Sequence, residues 1–202
     1  DNPPNPQFYS VLMSETGPMT VLDSLQMSGS VLDISLHEGY AYIATSNNAG
    51  EMEVVDVFNP AALTFAPGVG IDLTDTQDGN AIATFGTSAL LGRLDGSTID
   101  ELSLYPIGDA PVPITPPGPW PLEIGGDVTA LEGIAGSKYA FLGGSAANTQ
   151  VTVLDTVKFA LGQAPVVKTY NAQATIRGLS YDWRSDRLYG ISTSGLFVFA
   201  PG

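Results

Sequence analysis

The run Val31-Leu-Asp-Ile-Ser-Leu-His-Glu-Gly-Tyr-Ala-Tyr-Ile-Ala-Thr45, continued by Met52-Glu-Val-Val-Asp-Val57, decides the fold. Residues 31–36 alternate apolar and polar side chains, residues 40–44 are Tyr, Ala and Ile, and a His-Glu-Gly turn lies between them. Period-two patterning, with β-branched and aromatic residues bounded by turn residues, predicts short strands. Residues 52–57 predict a third strand and residues 69–73 a fourth. The pattern then returns. Without gaps and at an offset of 99, residues 32–57 align with 131–156: Leu32 meets Leu131, Tyr40 meets Tyr139, Tyr42 meets Phe141, Ile43 meets Leu142 and Asp56 meets Asp155. A weaker copy lies at offset 48, where Ile34 meets Ile82 and Ile43 meets Leu91, and another at 148, where Ile43 meets Ile191.

Four antiparallel strands repeated about every 40–50 residues are the signature of a propeller blade. The fold class is therefore all-β, a small β-propeller of about four blades, at 31–73, 79–124, 130–171 and 176–199. No window of 12 or more residues shows a helical period free of Gly or Pro, and 157–161 allows one helical turn.

The chain ends sharpen the expectation. Residues 21–35 align ungapped with 166–180, which makes 21–25 a fourth, outer strand, while the last copy stops after its third strand at 196–199. Pairing 21–25 with 196–199 would close the ring and remove two exposed edges. Residues 1–20 then form an N-terminal extension or partial strand. One segment conflicts with this: residues 8–12 also read as a third strand. Either they pack elsewhere, or the ring does not close this way and the blades form an open array or part of a larger propeller.

Composition limits function. The 202 residues hold 7 Lys and Arg against 21 Asp and Glu, one His and no Cys. Nucleic acid, which needs phosphate-neutralising cations, is disfavoured. Disulfides and thiolate sites are excluded, and one His disfavours a His-rich metal site. No apolar run is long enough for a membrane helix. Residues 1–137 carry 18 acidic side chains and only Arg93, whereas 138–202 carry six basic and three acidic ones. The weakly basic end could meet an acidic side of a neighbouring copy.

The first copy resembles LVIVD-type propeller repeats. Gly39-Tyr-Ala-Tyr-Ile-Ala44 is similar to the family's second strand, and Glu53-Val-Val-Asp-Val-Phe-Asn-Pro60 to its third strand and following turn. The third copy keeps Lys138-Tyr-Ala-Phe-Leu142 and Thr152-Val-Leu-Asp155 without the Asn-Pro. The resemblance implies a prokaryotic cell-surface or secreted location, attachment to larger assemblies, and no shared catalytic residues.

Chemically suggestive residues are few. Asp56 and Asp155 end third strands, where a carboxylate usually accepts turn N–H groups. Residues 72–80 bring together oxygen ligands, and Asp75, Asp78 and Asn80 are the candidate Ca²⁺ ligands, though their spacing is not that of an EF-hand loop. The loops at 59–67, 106–120 and 157–161 give one face of the propeller an apolar, Pro-rich character. Phe65, Trp120 and Phe159, with Lys158, Arg184 and Arg187, are the candidate interface residues. The expected function is a non-enzymatic extracytoplasmic propeller acting through protein contacts, as building block or displayed head of a surface or secreted fibre. Its rivals are a glycan- or calcium-binding module and a carboxylate-dependent hydrolase or lyase. No cofactor is expected beyond a possible calcium ion.

Overall fold

The structure, a computed structural model, describes residues 7–47, 50–73, 77–94, 100–107 and 120–201. A hairpin, β1 (Phe8–Leu12) and β2 (Thr20–Leu25), leads the chain. Blade 1 follows as β3 (Val31–His37), β4 (Tyr40–Thr45), β5 (Met52–Asp56) and β6 (Thr64–Ile71). Blade 2 is β7 (Gly79–Phe85), β8 (Ser88–Arg93), β9 (Leu102–Pro106) and β10 (Trp120–Leu122). Blade 3 is β11 (Val128–Gly133), β12 (Tyr139–Gly144), β13 (Val151–Asp155) and β14 (Val166–Tyr170), with the single-turn helix α1 (Thr156–Ala160) between the last two strands. Blade 4 has, among the described residues, three strands, β15 (Ile176–Asp182), β16 (Arg187–Ser192) and β17 (Gly195–Phe199).

Local chemistry explains the tight turns. Between β3 and β4, Glu38 and Gly39 take φ of 49° and 80°, the left-handed pair that a two-residue hairpin needs. A Cβ on Gly39 would lie 2.6 Å from the Phe58 ring, which stacks edge-on against Tyr40 at 5.3 Å. At the blade bottoms Asp56 Oδ1 accepts the Phe58 N–H at 3.0 Å, and Asp155 Oδ1 accepts the Lys158 N–H at 3.1 Å. Asp155 thereby caps α1 and also pairs with Lys138 Nζ at 3.0 Å.

One irregularity recurs in every inner strand. The ladder to the second strand slips between Val31 and Asp33, Gly79 and Ala81, Val128 and Ala130, and Ile176 and Gly178. Each slip is a bulge that leaves one residue unpaired and increases the twist. The bulged residues Leu32, Asn80, Thr129 and Arg177 all line one cavity of about 180 Å³ on the propeller axis. The ladders also correct the ungapped alignment. Ile34, opposite Ile43, shares its place with Leu131, opposite Leu142, so Leu32 is not the partner of Leu131. The third copy has two extra residues in the turn between β11 and β12, and these shift its inner strand.

Each blade presents one face to the blade before it, the leading face, and one to the blade after, the trailing face. Tyr42, Ala44, Met52 and Val54 of blade 1 pack on Ile82, Ala89, Leu91 and Tyr105 of blade 2. Leu90, Leu102 and Leu104 pack on Leu131, Leu142 and Leu154 of blade 3. Phe141, Val151 and Val153 pack on Ile176 and Leu188 of blade 4. Burial at about 25 cal/mol per Å² makes these three junctions the main source of stability.

Side chains near the axis fasten each blade to the next. The N–H groups of Ile82 and Thr84 donate to Asp33 Oδ2 at 2.8 Å and Ser35 Oγ at 3.0 Å, and the Tyr181 N–H donates to Glu132 Oε1 at 3.2 Å. Two bulged residues add to this: Asn80 Nδ2 donates to Val128 O at 2.7 Å, and Thr129 Oγ1 donates to Ile176 O.

The expected closing pair is not formed. The 21–25 strand pairs with β1, and among the described residues no fourth strand lies beside β17. A neighbour only a short loop away wins over a partner at the far end of the chain, because closing a short loop costs less entropy. Residues 8–12 are therefore a third strand after all, and β1–β2 is the outer half of a further blade. Two features show it. Its ladder slips between Ser10 and Val11, as the third-to-fourth-strand ladders slip between Glu53 and Val55 and between Val153 and Leu154. Gln7 Oε1 also accepts the Met27 N–H at 3.0 Å, as Glu51, Glu101 and Gln150 accept the N–H of Leu73, Ile124 and Ala172 at 2.7–2.9 Å. In all four, the residue before the third strand brackets the loop after the fourth.

Candidate functional site

The two ends of the blade stack differ from its interior. At the C-terminal end the trailing face of blade 4 lies open. By ladder position, Tyr189, Ile191, Leu196 and Val198 are the counterparts of Tyr42, Ala44, Met52 and Val54. The blade 1 set is at most 1% exposed, whereas Ile191, Leu196 and Val198 are 57, 67 and 56% exposed. The fastening groups are in place too. Ser180 stands where Ser35 and Glu132 stand, and Arg177 stands where Asn80 and Thr129 stand. Both are exposed.

At the N-terminal end, Phe8 and Leu25 of the half-blade pack with Met27 over Ala41, Ile43 and Val55 on the leading face of blade 1. Asp23 Oδ2 accepts the Leu63 N–H at 2.7 Å and secures that contact. The inner part of the same face, Ile34 and Leu36, stays uncovered. At the ladder position of Ile34, Ile82 and Leu131 are buried, whereas Thr84 and Gly133 stand at that of Leu36.

A third feature is an aromatic cavity of about 350 Å³ between blades 3 and 4. Tyr139, Phe141, Tyr181 and Trp183 form its walls, with Ser137 and Asp186 among its polar groups. The Tyr181 hydroxyl donates to Asp186 Oδ1 at 2.8 Å, and this bond raises the phenol above its ordinary pKa. The Arg184 guanidinium lies 4.9 Å from the exposed Trp183 ring, within cation–π range.

Electrostatics follow burial. Burial between blades pushes the carboxyls of Asp33 and Glu132 above the usual range, against the lowering effect of the N–H groups they accept. Lys138 holds Asp155 below it. Arg93, the sole Lys or Arg of the first 137 residues, is buried, and it donates to the Asp100 carbonyl.

The candidate residues read from the sequence are scattered. Asp75 lies outside the described residues, Asp78 is half-buried, and Asn80 turns its amide to the next blade. Among the described residues, no three His, Cys, Asp or Glu side chains group as a metal site would require. Phe159 is a correction: α1 folds it into the core between blades 2 and 3, 2% exposed. It is no surface contact. Phe65, Lys158, Arg184 and Arg187 are exposed; Trp120 begins β10, and its side chain is outside the description. Arg187 donates to the carbonyls of Ser185 and Asp186. Sequence reading missed the brackets Gln7, Glu51, Glu101 and Gln150; the last three recur at close to the repeat period, which could have revealed them. Among the described residues no helix is long and apolar enough to cross a membrane.

This geometry defines a β-propeller repeat protein. Its residues 28–69, the core of blade 1, match the family described as the LVIVD repeat, so the chain carries that repeat. No curated protein matches the sequence. By structure the chain is similar to the computationally designed Ika4 protein, at 13% identity and TM-score 0.59, over 87% of this chain and 94% of that one. It is similar to the Dos1 propeller, at 12% and 0.58, over 90% and 48%. It is also similar to Saccharomyces cerevisiae Sqt1, at 10% and 0.62, over 95% and 52%. The chain thus spans about half the length of the last two, and these likenesses concern the fold alone.

Proposed function

We propose that this is a non-enzymatic, extracytoplasmic propeller that works through protein–protein contacts, as building block or displayed head of a surface or secreted assembly. The open trailing face of blade 4 carries the reading. It repeats, position by position, a face that the interior of the molecule buries completely, and a contiguous apolar surface of this kind marks a contact. The acidic composition and the LVIVD repeat support the location. The test is made in the native cells. Wild-type protein is expected in a high-mass surface or secreted fraction, and a Leu196→Asp, Val198→Asp variant as free protein with unchanged melting. Equal distribution of the two would remove the contact reading, purely cytoplasmic protein would remove the location, and turnover of a glycoside or ester panel would remove the non-enzymatic part.

The aromatic cavity favours a second reading, a glycan-binding module, because aromatic walls with a few convergent polar groups suit a sugar ring. Binding on a glycan array that is lost in Trp183→Ala and Asp186→Ala would support it.

A further inference from the structure

We infer that Glu101 and Glu123 form a proton-operated latch at the rim between blades 2 and 3, closed when the pair holds one proton and open when both carboxylates are charged. The inference is independent of the contact reading above. It starts from two brackets built to one plan. In blade 3, Gln150 Oε1 accepts the N–H groups of Ala172 and Gln173 at 2.9 and 3.2 Å, and Asn171 Oδ1 accepts the Gln173 N–H at 2.9 Å. In blade 2, Glu101 Oε2 accepts the N–H groups of Ile124 and Gly125 at 2.7 and 3.4 Å, and Glu123 Oε1 accepts the Gly125 N–H at 2.9 Å. Gly125 and Gln173 share the left-handed backbone, with φ of 77° and 54°. Where blade 3 places two amides, blade 2 places two carboxyl groups on one N–H.

The exchange removes the hydrogens that an amide brings. Gln150 Nε2 donates to Ala146 O at 2.9 Å, and in the half-blade Gln26 Nε2 donates to Gln7 Oε1 at 2.7 Å. Glu101 is 1% exposed, and its Oε1 is buried with no hydrogen-bond partner among the described residues. A proton on Glu123 supplies the donor that Gln26 carries permanently. Two carboxylates sharing one site favour a proton on one of them. The hydrogen bond with Glu101 is the main cause that raises the Glu123 carboxyl above its ordinary range; burial and the charges of Glu101 and Asp100 add to it, against the Gly125 N–H. The other charged groups nearby are the buried Arg93, which donates to the Asp100 carbonyl, and Asp127, further along the loop. The turn of blade 3 that packs on Gly126, residues 145–149, carries no charge. Among the described residues no three carboxylates group here as a metal would need, whereas a proton needs only the pair. Loss of that proton leaves two carboxylates competing for the Gly125 N–H, so the loop leading into β11 loosens as pH rises through the folded pKa of Glu123.

The test compares the two brackets within the purified full chain by amide hydrogen exchange, read as protection factors so that the intrinsic pH dependence cancels. Between about pH 4 and about pH 7, a window that spans the upper carboxylate range, protection at Ile124 and Gly125 is expected to fall about fivefold, the effect of one hydrogen bond. Protection at Ala172 and Gln173 is expected to stay constant. Glu123→Gln, at an exposed position, restores a permanent donor and is expected to keep protection high at both pH values. Glu123→Ala is expected to keep it low at both. Three results would overturn the inference: constant protection at Ile124 and Gly125 in the wild type; a fall that Glu123→Gln retains; or equal protection in the wild type and Glu123→Ala at the lower pH. Protection regained at the higher pH on adding Ca²⁺ to the wild type, but not to Glu123→Gln, would also overturn it, because the closing group would then be a cation.

Discussion

The junction between blades 1 and 2 and the open side of blade 4 are the same surface in two circumstances. In both, the second and third strands present four large or apolar side chains and the inner strand presents a serine near the axis. Blade 2 covers the first and takes up Ser35; among the described residues no blade covers the second. The difference shows that an apolar blade face signals neither core nor contact by itself. What lies against it decides.

Substitutions at matched positions can break or sharpen this comparison. The largest effect belongs to the half-blade. Removing residues 1–27 uncovers Ala41, Ile43 and Val55, and is expected to cost about 3–6 kcal/mol, at about 1.5–3 for each of Ile43 and Val55. Chemical unfolding measures it; an unchanged midpoint would mean that the half-blade does not seal blade 1. Next comes a paired test. Val54→Asp places an unpaired charge in the junction and should cost about 3–5 kcal/mol. Val198→Asp, at the equivalent place on blade 4, should change the stability of the isolated chain by no more than about 0.5 kcal/mol. Equal losses would show that the open face is covered in solution.

A smaller effect is expected near the axis. Ser35→Ala removes the acceptor of the Thr84 N–H and should cost about 1 kcal/mol, whereas Ser180→Ala should cost nothing measurable in the isolated chain. The neighbouring Asp33 has a pH signature. Its folded pKa is raised, so its contribution is most favourable below the ordinary carboxylate range and declines as pH rises through the folded value. In Asp33→Asn that decline should vanish from the melting curve. Asp155 has the opposite sign. Its pKa is lowered by Lys138, so its contribution is present above the ordinary carboxylate range and fades as pH falls through the folded value. Asp155→Asn should flatten the acid side of the melting profile only slightly, because Lys138 is exposed and solvent screens the pair.

The repeat was legible because period-two patterning with turn residues returns at near-constant spacing. Even the degenerate fourth copy put Ile191 in the right strand, although one ladder position away from Gly190, the actual counterpart of Ile43. The identity of 21–25 as a fourth strand was legible as well, but its partner was not. Sequence likeness reports strand type, while pairing depends on which edge is nearer. The bulges at Leu32, Asn80, Thr129 and Arg177 were hidden, because a bulged residue differs from its neighbours in hydrogen bonding rather than in side-chain type. For the same reason Asn80 read as a metal ligand: its oxygen suits a cation, and only the structure shows its amide turned to Val128. Phe159 read as surface because a five-residue helix is too short to reveal its buried side by periodicity.

The inter-blade fastenings have a kinetic consequence. Asp33 to Ile82, Ser35 to Thr84, Glu132 to Tyr181, Asn80 to Val128 and Thr129 to Ile176 all join residues 47–49 apart. Every one therefore closes a loop of nearly the same length, and none requires the two chain ends to meet. Loop-closure entropy grows with the logarithm of length, so a chain lengthened by a whole repeat would meet the same closure cost at each new junction. Blades can then form in succession, each on the edge of the one before, and the folding rate of such a chain should depend on the repeat rather than on the total number of residues.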